Sequence, residues 1–313
     1  EDDEKPVESV VVALASDYTI KRIPVKNFNL SNKDVLTCGS GEILTSATEC
    51  KTDSKVMFFS NYGNCFKINV GQLPEVRFRD KGVVLSQIFP EAVMGETPVA
   101  MFILDNEGVP SGEVLTYTRQ GMIKRSPWSE YQLLKSSFQG YKGKEGDEVF
   151  KVEVVQEGTE IFYVTNRGGC TRFDVSEIPV QGRIAGGVHC INLADGEYVV
   201  FAGQVKKDSG EMLLVTDKGF MKRLPVTEIT RHARNCKGAK GIEFGQNGSS
   251  VVFASYVNGQ NYQIAIFDRA NTYVVDVNDV SVENKNNKGK LPKGKRGGIV
   301  VEKVLRFKTE AKD

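Results

Sequence analysis

The chain has 313 residues, of which 40% are hydrophobic and 26% charged, a composition typical of globular proteins and not of disordered ones. No apolar run approaches the roughly 18 residues needed to cross a membrane, so we expect no membrane partner. The formal net charge of +1 leaves a nucleic-acid partner open, because basic clusters can be balanced by acidic ones elsewhere.

The amino-terminal residues 1–9 contain five acidic residues and one lysine, which is unlike a secretory signal. We interpret them as a linker or the edge of a piece of a longer protein, followed by one domain over residues 10–308 and a tail at 309–313. Six cysteines without a C-x-x-C pair predict reduced thiols in a cytoplasmic protein, and no metal or other cofactor is expected.

An internal repeat is the most informative feature of the sequence. Each copy has a short apolar strand, a polar turn usually containing glycine, and a second strand that begins near a basic residue, which is typical of a β-hairpin. Four copies are clear, with their turns at Ser60–Gly63, Thr118–Gly121, Thr165–Gly168 and Thr216–Gly219. The first copy, at residues 12–22, lacks the glycine and looks one residue shorter; the sixth, at 263–274, lacks both the glycine and the basic pair.

The copies recur every 44 to 58 residues, which is the length of one four-stranded blade. No long stretch has apolar residues at helical spacing, so few helices are expected. The sequence therefore predicts an all-β fold of six four-stranded blades. Unrelated hairpins in a β-sandwich are the alternative, but a sandwich does not repeat its turn chemistry at this period.

A basic, glycine-containing segment follows each of the hairpins from the second to the last. Residues 231–240 contain four basic residues and no acid, and residues 285–296 contain six and no acid. Lysine and arginine beside glycine suit phosphate binding, because the cations neutralise charge and glycine lets backbone N–H groups approach. One such cluster is most often a solvated turn, whereas recurrence at equivalent positions favours a binding surface for duplex DNA.

Catalytic chemistry finds little support in the sequence. The only histidines, His189 and His232, lie in the basic segments, and no carboxylate pair stands out for acid–base work. Residues 289–295 match the start of a P-loop, but Arg296 stands where a Ser or Thr would bind Mg²⁺. We expect a non-catalytic chain that contacts the DNA backbone, since no recognition helix or zinc finger is present to read bases.

The hairpin sequence Thr-Asp-Lys-Gly-Phe-Met-Lys-Arg at residues 216–223, with its basic glycine-rich return, resembles the carboxy-terminal domain of bacterial type IIA topoisomerases. That domain belongs to the A-type subunits of gyrase and topoisomerase IV, and the resemblance spans residues ~10–308. It implies a β-pinwheel, a propeller-like disc whose blades exchange strands and whose basic edge bends or wraps duplex DNA without sequence specificity. It also implies a cytoplasmic location at the nucleoid and two protein partners, the rest of the A-type subunit plus its ATPase partner subunit.

By motif match, the resemblance implies two groups of DNA-contacting cations. Those after the hairpins are the stronger candidates: Arg77, Arg79, Lys81, Lys142, Lys144, Arg183, Arg231, Arg234, Lys237, Lys240, Lys290, Lys293, Lys295 and Arg296. Those within the hairpins are Lys124, Arg125, Lys222 and Arg223, with Lys21, Arg22, Lys67 and Arg172 as further positions.

The chain departs from the gyrase pattern in one respect. Gyrases carry a heptapeptide resembling QRRGGKG in the return of the first blade, where this chain has a single lysine within residues 29–41. The nearest likeness is Lys293–Gly298 in the last repeat. This leaves gyrase or topoisomerase IV activity of the parent open. A propeller used as a platform for protein interactions is the alternative function.

Overall fold

The computed structural model describes residues 4–31, 42–105 and 108–307. The strands of the first half are β1 (Ser9–Ala15), β2 (Ile20–Pro24), β3 (Leu44–Lys51), β4 (Lys55–Ser60), β5 (Asn64–Asn69), β6 (Pro98–Leu104), β7 (Glu113–Thr118), β8 (Met122–Pro127), β9 (Ser137–Gln139), β10 (Val149–Val154), β11 (Thr159–Thr165) and β12 (Gly169–Asp174). Those of the second half are β13 (Val188–His189), β14 (Ile191–Asn192), β15 (Val199–Lys206), β16 (Glu211–Thr216), β17 (Met221–Pro225), β18 (Cys236–Lys237), β19 (Ala239–Lys240), β20 (Val251–Val257), β21 (Gln263–Phe267), β22 (Thr272–Asp276) and β23 (Lys303–Phe307).

Helices are short among the residues that the structure describes. Two are α-helical, α1 (Val25–Leu30) and α2 (Leu85–Ile88). Five are single 3₁₀ turns that follow the second strand of a hairpin, at Val70–Gln72, Trp128–Tyr131, Val175–Glu177, Val226–Glu228 and Val277–Asp279. No helix in these described ranges is long and apolar enough to cross a membrane.

Each of the six predicted hairpins lies in its own sheet. The sheet orders are β2-β1-β3, β6-β4-β5-β9, β10-β7-β8-β13, β15-β11-β12-β19, β17-β16-β20 and β22-β21-β23, in addition to a short parallel pair β14-β18. The first strand of each hairpin thus pairs with a later strand of the same repeat. These sheets are the blades, and the predicted all-β, six-bladed β-pinwheel is confirmed; over the described residues three blades have the predicted four strands and three have three strands.

Strand exchange joins consecutive repeats at the second hairpin strand. Phe138 of β9 pairs with Cys65, Val188 of β13 with Ile123, and Ala239 of β19 with Cys170. Single bridges continue the pattern where no strand is formed, from Val83 to Ile20 and from Lys290 to Met221. In every case the later repeat supplies the outer edge of the earlier blade.

The chain forms two compact units. Unit 1 comprises residues 1–116, 126–154 and 180–186, and unit 2 comprises residues 117–125, 155–179 and 187–313. The boundary passes through β7 and β8 of the third sheet. The prediction of a single domain over residues 10–308 stays a prediction, and the proposed tail at 309–313 lies, with its neighbour 308, outside the described residues.

Within each unit, the core lies between successive blades. In unit 1, Val56 and Phe58 of β4 pack with β1, whereas Met57 and Phe59 pack on the other face with Trp128. In unit 2, β16 alternates in the same way between two clusters. A blade buried on both faces needs an uninterrupted apolar strand, which explains runs such as Val56–Phe59.

The first hairpin corrects one expectation. Its turn is as long as the others: Tyr18 N–H donates to Ala15 O (2.9 Å), as Gly63 N–H donates to Ser60 O (3.0 Å). Tyr18 therefore occupies the glycine position, with φ of 64° where Gly63 has 83°. The left-handed conformation is retained without glycine, at a cost of roughly 1–2 kcal/mol.

Candidate nucleic-acid interface

The second hairpin strand carries a cation at the fourth position after the turn glycine, or after Tyr18 in the first hairpin. In all five hairpins that have this cation, it donates to a backbone carbonyl of the next repeat. The carbonyl lies within the 3₁₀ turn of that repeat or one or two residues after it. The pairs are Arg22 with Gly71, Lys67 with Leu133, Arg125 with Val175, Arg172 with Ile229, and Arg223 with Val280. The sixth hairpin has Val274 here, and no further repeat follows among the described residues.

The preceding position carries buried lysines in three hairpins. Lys21 Nζ donates to Phe78 O (2.9 Å), and Lys222 Nζ donates to Asn284 O (2.8 Å) and Asn287 O (3.0 Å). Lys124 is also fully buried. Burial lowers the pKa of Lys222 to about 8, with nearby carboxylates such as Glu283 opposing the shift.

These contacts change the assignment of the hairpin cations. Lys124, Lys222 and Arg125 are buried, and Arg223 and Arg172 are held by carbonyl and carboxylate oxygens. A cation enclosed in this way is not presented to phosphate, so we remove the hairpin set from the candidate interface. Sequence alone does not distinguish a lysine that ends a strand in solvent from one covered by the next repeat.

We call the residues between the second hairpin strand and the third strand the return segment of a repeat. In the second to sixth repeats the return segments are residues 70–97, 128–148, 175–198, 226–250 and 277–302. Three of them contain the same tight turn, closed by Asp80 N–H to Arg77 O (3.1 Å), Ala185 N–H to Gly182 O (3.1 Å) and Asn287 N–H to Asn284 O (3.2 Å). The turn ends three residues before the residue that pairs with the previous hairpin.

Glycine immediately before the pairing residue lets the two backbones approach. A Cβ at Gly187, which has φ of 77°, would lie 2.4 Å from Ile123 O, and one at Gly289, with φ of 76°, would lie 2.7 Å from Met221 O. The glycines of the basic motif thus serve strand exchange as well as any ligand.

Nine of the predicted cations are exposed on return segments and form no ion pair with another described residue. They are Arg77, Arg79, Lys81, Lys142, Lys144, Lys237, Lys290, Lys293 and Arg296. Their charge is available to a ligand.

Five predicted return-segment cations have partners. Arg231 pairs with buried Glu160 (2.6 Å) and with Asp208 (2.9 Å), and the Glu160 hydrogen bond raises its pKa. Lys240 pairs with Glu243 and lowers the pKa of that carboxyl. Three more contact groups within their own unit: Arg183 with Gln139 O and the Phe138 ring, Arg234 with His189 O, and Lys295 with the Tyr273 ring.

Neighbouring return segments are hydrogen-bonded to each other. In unit 1, Lys142 N–H donates to Ala185 O (3.3 Å), and the Tyr141 hydroxyl donates to Gly186 O (2.8 Å). In unit 2, Asn235 N–H donates to Cys190 O (2.9 Å), and Asn247 Nδ2 donates to Lys288 O (2.7 Å). Within each unit, these hydrogen bonds therefore join the cation-bearing return segments of successive repeats.

Three exposed lysines of the return segments, Lys135, Lys285 and Lys288, were not among the predicted contacts. Lys135 precedes the exchanged strand that contains Phe138, and Lys285 lies in the tight turn at 284–287. The charge count over residues 285–296 is the signal that could have included Lys285 and Lys288.

Other candidate chemistry is sparse. No group of three metal-ligating side chains occurs within residues 4–31, 42–105 and 108–307. An open cleft in unit 2 is lined by three cations, Arg167, Lys237 and Lys240, together with the carboxylate of Glu197 and apolar Leu193. The expected gyrase heptapeptide position falls largely at 32–41, outside the described residues.

Comparison with known proteins identifies the family. The sequence model described as "DNA gyrase C-terminal domain, beta-propeller" matches residues 54–88, 112–156, 159–206 and 210–258, more than half of the chain. The chain belongs to this family, the carboxy-terminal domain of the A-type subunits of gyrase and topoisomerase IV.

Individual relatives are consistent with this assignment. The chain is 26% identical over 291 residues to the A-type subunit of DNA gyrase from Staphylococcus epidermidis, covering 91% of the chain and 32% of the relative. It is 26% identical over 288 residues to the A-type subunit of DNA topoisomerase 4 from Staphylococcus aureus, covering 91% and 36%. The chain thus spans about a third of the length of these relatives.

Two solved structures share the fold. The C-terminal domain of DNA topoisomerase IV aligns with a TM-score of 0.83 at 23% identity, covering 97% of this chain and 94% of that one. The DNA gyrase A C-terminal domain aligns with a TM-score of 0.64 at 20% identity, covering 96% and 100%.

Proposed function

We propose that this chain binds duplex DNA through the exposed cations of its return segments and bends or wraps it without sequence specificity. The observation that carries the proposal is the group of nine exposed cations, spread over four of the five return segments and none ion-paired with a described residue. The absence of ion-pair partners matters because each cation can then release a counterion from DNA on binding.

Backbone groups support the same conclusion. The return segments present turns and glycines among the cations, and glycine allows a phosphate to approach backbone N–H groups. No long helix exists among the described residues to enter a major groove. Recognition would therefore depend on phosphate charge and on how easily the duplex deforms.

The parent protein would be a type IIA topoisomerase, in which this domain assists and another region cleaves DNA. Its partners would be duplex DNA in the cytoplasm, the rest of the A-type subunit, plus the ATPase subunit. Bending tens of base pairs costs on the order of 1–10 kcal/mol, which several distributed phosphate contacts can offset.

A binding assay with three unrelated 40-bp duplexes of different base composition tests the proposal. Fluorescence anisotropy at 50 mM salt should give dissociation constants that agree within about tenfold, since mismatched bases normally cost ~1–3 kcal/mol only where bases are read. Absence of binding to all three duplexes would overturn the proposal and favour the protein-interaction platform.

A further inference from the structure

The third position of the return-segment turn is its exposed tip. In the second, fourth and sixth repeats the tight turns place Arg79, Ile184 and Asn286 there. Counting four residues back from the residue that pairs with the previous hairpin gives Leu134 and Asn235 in the other two. All five side chains are exposed.

Two of these tips carry a bulky aliphatic side chain. Leu134 is fully exposed (104%) and Ile184 is more than half exposed (56%). A polar residue is what such a turn favours, as Asn235 and Asn286 show. Neither aliphatic side chain completes a core, so the local fold does not account for them.

Hydrogen bonds flank both aliphatic tips. Around Leu134, Lys67 donates to Leu133 O from Nζ and to Ser136 O from its backbone N–H (2.7 Å). Around Ile184, the N–H of Arg183 donates to Glu130 (3.3 Å), and Ala185 O accepts from the N–H of Lys142 (3.3 Å). These contacts hold the backbone on both sides of each tip.

An exposed cation lies beside each tip. Lys135 follows Leu134 directly, and Lys142 joins the segment of Ile184 through its N–H bond to Ala185 O. An aliphatic side chain next to a cation matches a nucleic-acid groove, where phosphates flank an apolar stack of bases. Leu134 also lines an open cleft with Ile88 and Phe89, but Lys55 and Lys67 line the same cleft, so apolar contact there again lies beside positive charge.

We propose that Leu134 and Ile184 are wedges that enter the minor groove and partly unstack base steps of the bound duplex. This inference rests on the proposed function, since it presupposes that the return segments face DNA. Lys135 and Lys142 would each hold a phosphate beside a wedge. The duplex would then bend where the wedges enter it. No bond is formed or broken.

Base unstacking provides a direct test. A 40-bp duplex with 2-aminopurine at several TA steps should gain fluorescence when the unaltered chain binds, because an unstacked 2-aminopurine is less quenched. The variant L134A/I184A should bind with the same salt dependence but lose most of that gain. Energy transfer between dyes at the two ends of the duplex should also show that the duplex bound to this variant is straighter.

A matched control removes an exposed apolar side chain elsewhere in unit 1. Val7 is more than half exposed (58%) and precedes the first strand, outside the return segments, so V7A should behave as the unaltered chain does. An equal fluorescence gain in L134A/I184A and the unaltered chain would overturn the wedge while leaving DNA binding intact. No binding by the unaltered chain would overturn both proposals.

Discussion

Arg172 in the fourth hairpin donates from Nε to the carbonyl of Ile229 in the fifth repeat, at a distance of 2.6 Å. The same guanidinium pairs with Glu160, whose side chain is fully buried (0%). One side chain therefore closes the 3₁₀ turn of the next repeat and compensates a buried carboxylate. The equivalent cations of the other hairpins suggest that such contacts fix the spacing of blades within each unit.

Replacing Arg172 by Met should destabilise the fold by about 2–3 kcal/mol, because buried Glu160 loses one charged hydrogen-bond partner and keeps Arg231. Replacing Arg223 by Met should cost only about 1–2 kcal/mol, since its partner Glu211 is partly exposed. Urea unfolding followed by circular dichroism measures both. Similar losses for the two variants would contradict the role given to Glu160, and E160Q/R172M should recover part of the larger loss.

Lys222 makes stability depend on pH in a defined direction. Burial lowers its pKa in the folded chain to about 8, whereas the unfolded value is 10.5. The unfolded state therefore binds more protons between those values, so the penalty for burying the charge should fall as pH rises from about 8 to 10.5. Unfolding free energies across this window should rise for the unaltered chain relative to K222M.

The comparison with K222M matters because tyrosines and cysteines titrate in the same range. Burial raises the pKa of Cys170 to about 12, so that thiol stays protonated in the window. We expect the unfolding free energy of the unaltered chain, relative to that of K222M, to increase from pH 8 to 10.5. A relative free energy that stays constant or decreases over this range would contradict the lowered pKa of Lys222.

Strand exchange should depend on Gly187. Alanine there would be strained by the positive φ and would place its Cβ 2.4 Å from Ile123 O, so β13 should detach from β8. Gly146 has the same backbone conformation with open space around it, and G146A should lose only about 1–2 kcal/mol. Hydrogen exchange at Val188 and Cys190 distinguishes the two, and protection retained in G187A would contradict the steric argument.

Exposed and enclosed cations should differ in their effect on DNA binding. Neutralising Lys293 and Arg296 should weaken binding on the order of tenfold to a hundredfold, if each lost charge-assisted contact contributes roughly 1 kcal/mol or more. Neutralising Lys21 and Arg22 should lower stability instead, since Lys21 is buried and Arg22 pairs with Glu75 (3.6 Å). Equal losses of affinity for folded chains would contradict the assignment of the interface.

The hairpins were predictable because their signals are local. Gly63 and its counterparts mark turns, and uninterrupted apolar strands mark blades buried on both faces. The roles of Lys124 and Lys222 were not predictable, because what covers each lysine lies some 60 residues further along in the chain. The pairing of Phe138 with Cys65 was not predictable for the same reason, because it is set by exchange between repeats.

The exposed turn tips show a further limit of prediction from the sequence. Nothing in the local sequence marks Leu134 as outward-facing, since Leu133 beside it is half-buried. Only the pairing of β9 with β5 fixes which of the two leucines lies at the turn tip. Charge counting found the basic segments, but the count did not separate Arg231, held by Glu160, from exposed Lys237.

The salt dependence of duplex binding tests the central claim most directly. Anisotropy between 50 and 200 mM salt should show a steep fall in affinity for the unaltered chain, about 10³–10⁵-fold if six to ten phosphates are engaged. Changing Lys81, Lys142, Lys237 and Lys293 to Gln should reduce the slope of log affinity against log salt by about 3 to 4. The same change at Lys5, Lys51, Lys206 and Lys207, which are exposed outside the return segments, should leave it unaltered. A flat dependence for the unaltered chain, or equal slopes for the two variants, would contradict DNA binding by the return segments.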